Sequence, residues 1–254
     1  MFFCRCRQEL FMNEKIGAIM TEFTASLKEV FAGDLLAVVL YGSAAGSTYN
    51  ADISDINVLV LLEKSGAEGI FKFGRKVKTL MRKNVISPVI MTLEEFTTAA
   101  DAFPLEYSDI TEEHAFIFGN KDILNIKTDK RNLRLQLEEK LRGAAAEIRG
   151  MLITAGGNEK LFRRLILRWS SLGAVLFRGL LRLKEKNVAG MDAQSIFAQV
   201  EAEYKVSLEG FSVLNRMRQK KKLPSLAASS LADMLLEPIM SLIHTVDAME
   251  GKIA

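Results

Sequence analysis

The sequence has few cysteines and few histidines, and these shortages exclude several classes of protein. Its 254 residues include two cysteines, Cys4 and Cys6, and two histidines, His114 and His244. Two cysteines this close together argue against a disulfide framework and fit a reducing cytoplasm, where we expect the protein to reside. The two histidines are too few and too far apart in sequence for a metal cluster or for a Ser-His-Asp or Cys-His set. Hydrolase chemistry therefore has no support.

Long hydrophobic runs are also missing. The most apolar stretch, residues 161–183, is interrupted by five arginines. A membrane span needs about 20 predominantly apolar residues, so no membrane partner is expected. Hydrophobic residues make up 49% of the chain and charged residues 26%, which is typical of a globular protein. The net charge of +3 is too small to indicate nucleic-acid binding by itself.

Residues 35–62 contain two apolar runs that are joined by a small, polar loop. The first run ends in Gly42 and Ser43, and the second opens at Asp55 and continues to Leu62. Short apolar runs bounded by turn residues are typical of buried strands. Gly-Ser alone is a weak signal, since these residues punctuate many turns. The combination of two strands with this loop is what indicates a functional site.

The order of these segments resembles the signature of the nucleotidyltransferase superfamily. An apolar strand is followed by Gly42-Ser43, by eleven intervening residues and then by Asp55-Ile56-Asn57-Val58. That superfamily includes DNA polymerase beta, the kanamycin nucleotidyltransferases and small bacterial nucleotidyltransferase-domain proteins. The resemblance implies a Gly-Ser turn that holds the phosphates of a nucleoside triphosphate. It also implies two carboxylates, one residue apart on the next strand, that hold Mg²⁺. Because alternate residues of a strand share a face, two such side chains can share metal ions.

Carried onto this chain, the resemblance makes Asp55 and Asn57 the ligands of Mg²⁺ or Mn²⁺ and members of the catalytic set. It assigns Gly42, Ser43 and Ser54 to nucleotide binding. An unpaired carboxylate is costly to bury at the head of an apolar strand, which favours a cation beside Asp55. Two alternatives stay open, because Asp55 could instead cap a turn or pair with a lysine.

Asn57 departs from the superfamily pattern, which usually has Asp or Glu at this position. Mg²⁺ binds through carboxylates and substrate phosphates. An amide oxygen can coordinate the ion but carries no charge, and opposite charges ~4 Å apart interact by ~4 kcal/mol at an effective dielectric constant of 20. Weaker metal binding is therefore expected. Asp52 could supply the missing charge, although we interpret it as a loop residue.

Superfamily members commonly carry a third carboxylate on a later strand, where it helps to deprotonate the attacking hydroxyl. The next predicted strand, residues 87–91, contains no acid. Glu106 and Asp109 are the nearby acids, in a segment at residues 104–110 that we interpret as a short edge strand. Residues three apart do not share a strand face, so at most one points inward. Glu106 is the candidate, and surface placement of both is the alternative.

The rest of the first half alternates strand and helix patterns, which predicts an α/β nucleotidyltransferase-like sheet with flanking helices over residues 12–124. One helix is predicted from Asn13. A second is predicted after a capping box of Ser65 and Glu68, with Ile70 on its inner face and lysines and arginines on its outer face. Thr92 and Glu95 form another capping box, and residues 115–118 are interpreted as an edge strand.

Residues 125–254 read almost entirely as helix and predict an all-α helical bundle domain. Thr128 or Asp129 caps a helix that ends at Gly156-Gly157. Asn158 caps the next helix, which is apolar around much of its circumference as far as Leu180 and is predicted to form the buried centre. The basic tract at residues 216–222 is either a solvated loop or a contact for an RNA, a phosphorylated partner or the acceptor.

These features predict a protein that transfers a nucleoside monophosphate from a nucleoside triphosphate to an unknown acceptor, which is a small molecule, an RNA or a protein. The alternative is a catalytically impaired homologue that binds a nucleotide or a partner, as in toxin–antitoxin pairs. Asn57 and the missing third acid favour the alternative, whereas Gly42-Ser43 and Asp55 favour the enzyme. The sequence leaves the oligomeric state open, a homodimer included.

Overall fold

A computed structural model describes residues 14–46, 49, 55–167, 169–219 and 226–251. The chain divides into two compact units. The first unit comprises the residues up to Ala99 together with Asp109–Ile126. The second comprises Ala100–Ser108 and the residues from Lys127 onward. The segment Ala100–Ser108 thus belongs with the helical unit, whereas the sequence analysis placed it in the first domain.

The first unit is built on one mixed sheet of four strands. The strands are β1 (Leu35–Tyr41), β2 (Ile56–Leu62), β3 (Ile86–Thr92) and β4 (His114–Gly119). Their order is β3-β2-β1-β4. β1 is antiparallel to both β2 and β4, whereas β2 and β3 are parallel. β1 and β2 are the central strands and are buried on both faces, which explains their nearly continuous apolar sequences.

Two long helices cover one face of this sheet. They are α1 (Glu14–Phe31) and α2 (Ala67–Lys83). Phe23 of α1 and Phe73 of α2 meet edge to face with ring centroids 5.1 Å apart, above the buried strand residues Val38, Leu40 and Val58. The shorter helix α3 (Leu93–Thr98) contacts β2 and β3. The predicted first helix and the predicted β1 and β2 strands are confirmed.

The two predicted capping boxes have different outcomes. At α3, Thr92 Oγ1 accepts from the Glu95 amide at 3.1 Å and Glu95 Oε2 accepts from the Thr92 amide at 2.6 Å, as predicted. At α2 the prediction is wrong, because the helix is preceded by Gly66 and no side chain caps it. Ile70 was also expected on the inner face of α2, but it is 38% exposed.

Residues 104–110 are not an edge strand, because Pro104–Glu112 forms the helix α4. Proline is well suited to the first helical position, where the amide it lacks would have no partner. The first turn is completed by a distant side chain, since Gln136 Oε1 accepts from the Leu105 amide at 2.8 Å. Ser108 Oγ also donates to the Pro104 carbonyl at 2.7 Å. The predicted strand at residues 115–118 is confirmed as part of β4.

The second unit is helical, as predicted. Its remaining helices are α5 (Lys130–Ala155), α6 (Glu159–Ile166), α7 (Trp169–Leu183), α8 (Ala193–Tyr204), α9 (Glu209–Arg218) and α10 (Ala228–Asp247). Asp129 caps α5, and Gly156 ends it in the left-handed conformation at φ 52°. In the core, Phe177 lies edge to face against Phe197 and Phe211.

The prediction of a single helix after Asn158 is wrong, because the structure has two helices there, α6 and α7. Asn158 does cap α6, since its side chain accepts from the Leu161 amide at 3.0 Å. Within the described ranges, no helix combines the length and the apolar character that crossing a membrane requires.

Candidate functional site

Four polar side chains form a row across one end of the sheet. Asn57 of β2 lies opposite Ser87 of β3 on one side and opposite Tyr41 of β1 on the other. Tyr41 in turn lies opposite His114 of β4. Directly paired residues project from the same face of a sheet, so these four side chains are neighbours. None of the four is fully buried, so the row is accessible from solvent.

The Gly-Ser turn begins where this row crosses β1. Gly42 has φ 69°, a left-handed conformation that glycine adopts without strain. It opens a short 3₁₀ turn, Gly42–Ala45, in which Ser43 is partly exposed. The Gly42 amide donates to the Glu113 carbonyl at 2.9 Å, which ties the turn to the residue before β4. A side chain at position 42 would have its Cβ 3.4 Å from Asn57 Nδ2, so the turn and Asn57 are in close proximity.

Asp55 lies immediately before β2, two residues before Asn57, and is exposed. Because side chains alternate along an extended segment, Asp55 projects on the same side as Asn57. Tyr49 is near enough that the Asp55 charge raises the pKa of its phenol, although burial is the larger cause. The cost of burying an unpaired carboxylate, which favoured a cation beside Asp55, does not apply here, because solvent reaches Asp55 at the end of the strand. Its assignment as a metal ligand stays a prediction.

Three other residues singled out by the sequence have different outcomes. Ser54 and Asp52 lie outside the described residues. Glu106 is on the helix α4, not on a strand, and its Oε2 accepts from Gln136 Nε2 at 2.8 Å. Both residues belong to the second unit. A role for Glu106 in catalysis stays a prediction.

Glu113 is a residue at this end of the sheet that the sequence analysis missed. Its carboxylate lies against Gly46, where a Cβ would clash with it. Its carbonyl holds the Gly42 amide, as described above. Nothing local in the sequence marks Glu113, because its approach to the turn depends on the pairing of β4 with β1. The acid therefore stands beside the proposed phosphate-binding turn.

His114 is half-buried at the end of the polar row. Its ring meets Phe116 edge to face at 5.5 Å. Burial lowers the pKa of His114, although the nearby carbonyls of Thr111 and Ile110 act in the opposite direction. Nδ1 is buried and makes no hydrogen bond within the described part of the chain. Burial thus disfavours the charged imidazolium at this end of the row.

The described residues do not form a self-sufficient metal site, because no three of their His, Cys, Asp or Glu side chains come together to hold an ion. Mg²⁺ commonly keeps several waters and binds through one or two carboxylates plus substrate phosphates. One carboxylate, Asp55, and one amide, Asn57, fit an ion that arrives on a triphosphate. These two side chains are too few to bind an ion without the phosphates of a substrate.

No family model and no curated protein matches the chain. Among solved structures, the chain is similar to spectinomycin adenyltransferase AAD(9) from Enterococcus faecialis, which was determined with ATP and spectinomycin. The match covers 91% of this chain and 99% of that chain, with a TM-score of 0.58 and 11% sequence identity. The chain therefore has the nucleotidyltransferase fold, a sheet with flanking helices followed by a helical part, as its Gly42-Ser43 and Asp55 motif predicts.

Proposed function

We infer that the protein is a nucleotidyltransferase that transfers a nucleoside monophosphate from a magnesium-bound nucleoside triphosphate to an acceptor hydroxyl. The observation that carries this proposal is the position of the Gly42 turn beside Asn57, at the sheet end where Asp55 is exposed. The fold supports it as well. Because one fold can host proteins with different functions, the residues at the end of the sheet are stronger support for this function than the structural similarity to AAD(9).

In the proposed reaction, the acceptor oxygen attacks the α-phosphorus of the triphosphate. A new oxygen–phosphorus bond forms, the bond to the bridging oxygen breaks, pyrophosphate leaves and the hydroxyl proton passes to water. The Ser43 hydroxyl and the backbone amides that follow Gly42 in the turn donate to phosphate oxygens, whereas the Gly42 amide stays bound to the Glu113 carbonyl. The Asp55 carboxylate and the Asn57 amide oxygen hold the ion of the substrate, which offsets charge on the phosphates. The chain contributes mainly by positioning the triphosphate.

The proposed donor is ATP and the proposed acceptor is a small molecule with several hydroxyl groups. The support is that AAD(9), named a spectinomycin adenyltransferase, was determined with ATP and spectinomycin. Identity of 11% does not carry substrate choice from that protein to this one, so the acceptor is treated as a class. Mn²⁺ is included beside Mg²⁺ because both are bound by oxygen ligands.

The test is transfer of label from α-phosphate-labelled ATP to a panel of aminocyclitols and to the small-molecule fraction of a cell extract, with Mg²⁺ or Mn²⁺. We expect a labelled product with the wild-type protein and none with Asp55→Ala. Asp34→Ala is the matched control, because Asp34 is also exposed in the first unit but precedes β1 at the other end of the sheet. Product formation that survives Asp55→Ala, with the control equally active, would count against the proposed site.

A second candidate function is metal-independent nucleotide binding by a homologue that has lost catalysis. It is favoured by the neutral residues Asn57 and Ser87, which stand together where carboxylates would be expected to hold the ion. Calorimetric titration with ATP separates the two functions. The enzyme requires ATP binding that is strengthened by Mg²⁺ and weakened by a chelator, whereas the second function gives equal affinity in both conditions and no labelled product.

A further inference from the structure

The outer face of α2 carries an unusual concentration of positive charge. The helix contains six lysines and arginines and one glutamate, whereas the net charge of the whole chain is only +3. The excess on this one helix is therefore larger than that of the entire protein. α2 packs on the sheet face that carries Val58, and side-chain alternation along β2 places Asn57 on the opposite face. The inference drawn from this helix does not rest on the proposed nucleotidyltransferase activity.

Four of the exposed side chains form one straight line on the helix. Phe71, Arg75, Lys78 and Arg82 follow a spacing of four, three and four residues, which places them on the same face of an α-helix. This line, which we call the basic stripe, is opposite the buried residues Phe73, Val77 and Leu80. At 1.5 Å per residue the stripe is about 16 Å long.

The cations of the stripe are not neutralised by the protein itself. Elsewhere on α2, Lys72 pairs with Glu68 at 3.8 Å and Lys76 pairs with Glu29 at 2.7 Å. In the described ranges, Arg75, Lys78 and Arg82 form no ion pair with a carboxylate. Their charges are therefore available to an anionic ligand.

Phe71 distinguishes the stripe from an ordinary solvated face. It is 67% exposed at the head of the stripe, where burial does not explain a phenylalanine. The Arg75 guanidinium lies 5.2 Å from its ring centroid and supports the ring from one side. Gly74, one turn from Phe71, has open space where a Cβ would be, so the helix surface beside the ring is accessible. An exposed ring flanked by cations is the arrangement on which unpaired bases stack.

We propose that the basic stripe binds single-stranded nucleic acid, with one base stacked on Phe71 and the phosphates along Arg75, Lys78 and Arg82. A duplex would satisfy the cations but would keep its bases stacked on one another and leave Phe71 unused. An anionic membrane or an acidic protein would attract the same cations, but neither requires a flat ring at position 71, as a stacked base does. The single strand uses both components of the stripe.

The experiment is fluorescence anisotropy with a labelled oligouridylate of about twelve nucleotides, titrated with the full chain at several salt concentrations. Three phosphate contacts on a single strand predict a slope of log affinity against log salt of about −2, a loss of about 20-fold between about 50 and about 200 mM salt. The triple variant Arg75→Ala, Lys78→Ala, Arg82→Ala should remove this slope. Lys140→Ala, Lys160→Ala, Arg164→Ala makes the same charge change on exposed residues of the second unit and should keep it.

The aromatic component is tested separately. Phe71→Leu should weaken binding about tenfold or more with an unchanged salt slope, and Phe71→Trp should retain it, because stacking needs a flat ring. Equal effects of the two triple variants would overturn the stripe as the site. Equal affinity for a duplex of the same sequence, or binding to phosphatidylserine vesicles without binding to the oligouridylate, would overturn the choice of ligand.

Discussion

Asn57 and Ser87 lie directly opposite each other across the parallel ladder of β2 and β3. Their side chains share one face of the sheet, and neither carries a charge. The acid on that face is Asp55, just before β2. At the proposed metal site, this pair therefore adds no negative charge to that of Asp55, and metal affinity depends on the charge of the ligands.

Replacing the neutral pair with acids should strengthen metal-dependent nucleotide binding. Opposite charges ~4 Å apart are worth ~4 kcal/mol at an effective dielectric constant of 20, and if about a third of that is realised Asn57→Asp should raise ATP affinity in Mg²⁺ roughly tenfold. Adding Ser87→Glu should raise it further and increase label transfer. The measurement is calorimetric titration with ATP, with and without Mg²⁺.

The matched control for Asn57→Asp is Asn120→Asp, which makes the same charge change next to Gly119 at the opposite end of the sheet. This variant should leave ATP affinity unchanged. A gain in Mg²⁺-dependent affinity of the same size in both variants would show that net charge is responsible, and that position 57 is not a ligand.

The proximity of the Asp55 carboxylate to Tyr49 should be measurable as an effect on the pKa of the Tyr49 phenol. Burial and then the Asp55 charge raise the pKa of the Tyr49 phenol, because a neighbouring carboxylate disfavours the phenolate. Asp55→Asn should therefore lower this pKa, while leaving it above the usual value of about 10 because burial remains. Absorbance titration of phenolate, taken as the difference from the Tyr49→Phe variant, isolates this tyrosine. Asp34→Asn is the control, and an unchanged Tyr49 pKa in Asp55→Asn would contradict the proximity of the two groups.

The central hairpin could be predicted from the sequence because its information is local. β1 is a short apolar run that ends in Gly42-Ser43, and the structure has the strand with the same bounds, Leu35–Tyr41. Antiparallel pairing of β1 with β2 then brings Gly42 to Asn57 without further assumptions. This is the part of the site that the motif predicted.

The features that the sequence did not predict depend on contacts between distant residues. Helix α4 has the Leu105 amide held by Gln136, 31 residues later, and no local pattern reveals that contact. Glu113 reaches the turn only because β4 pairs with β1. The break between α6 and α7 has no signal at all, since neither proline nor glycine lies between residues 158 and 169. Periodicity alone therefore predicted one helix there.

Gly42→Ala should destabilise the first unit, because φ of 69° costs an L-residue about 1–2 kcal/mol. Gly74→Ala is the matched control. That glycine lies in the exposed interior of α2 with nothing within 4 Å of its Cβ position, so alanine should stabilise by roughly 0.5–1 kcal/mol. Hydrogen exchange of the β1 and β2 amides reports on this unit alone. Slower exchange in Gly42→Ala than in the wild type would mean that the turn does not require the left-handed conformation.

Tyr204→Phe should destabilise the second unit at neutral pH, but the difference in unfolding free energy between the variant and the wild type should become smaller at high pH. The Tyr204 hydroxyl donates to the Leu180 carbonyl at 2.6 Å, in the last turn of α7, where carbonyls lack helical partners. Removing a buried donor of this kind costs about 1–3 kcal/mol.

The pH dependence of this variant follows from burial, which raises the pKa of Tyr204 above its ordinary value. In the unfolded chain the phenol ionises at about pH 10, whereas in the folded chain it stays protonated. The unfolding free energy of the wild type therefore falls by up to about 1.4 kcal/mol for each pH unit above about pH 10. Phenylalanine has no proton to lose, and Tyr107, with a pKa raised to about 12, is the same in both proteins. Urea unfolding monitored by the single tryptophan, Trp169 in the second unit, should therefore show a difference in unfolding free energy that narrows between about pH 10 and about pH 11. A difference that stays constant over this range would show that the Tyr204 hydroxyl ionises as freely in the folded chain as in the unfolded one.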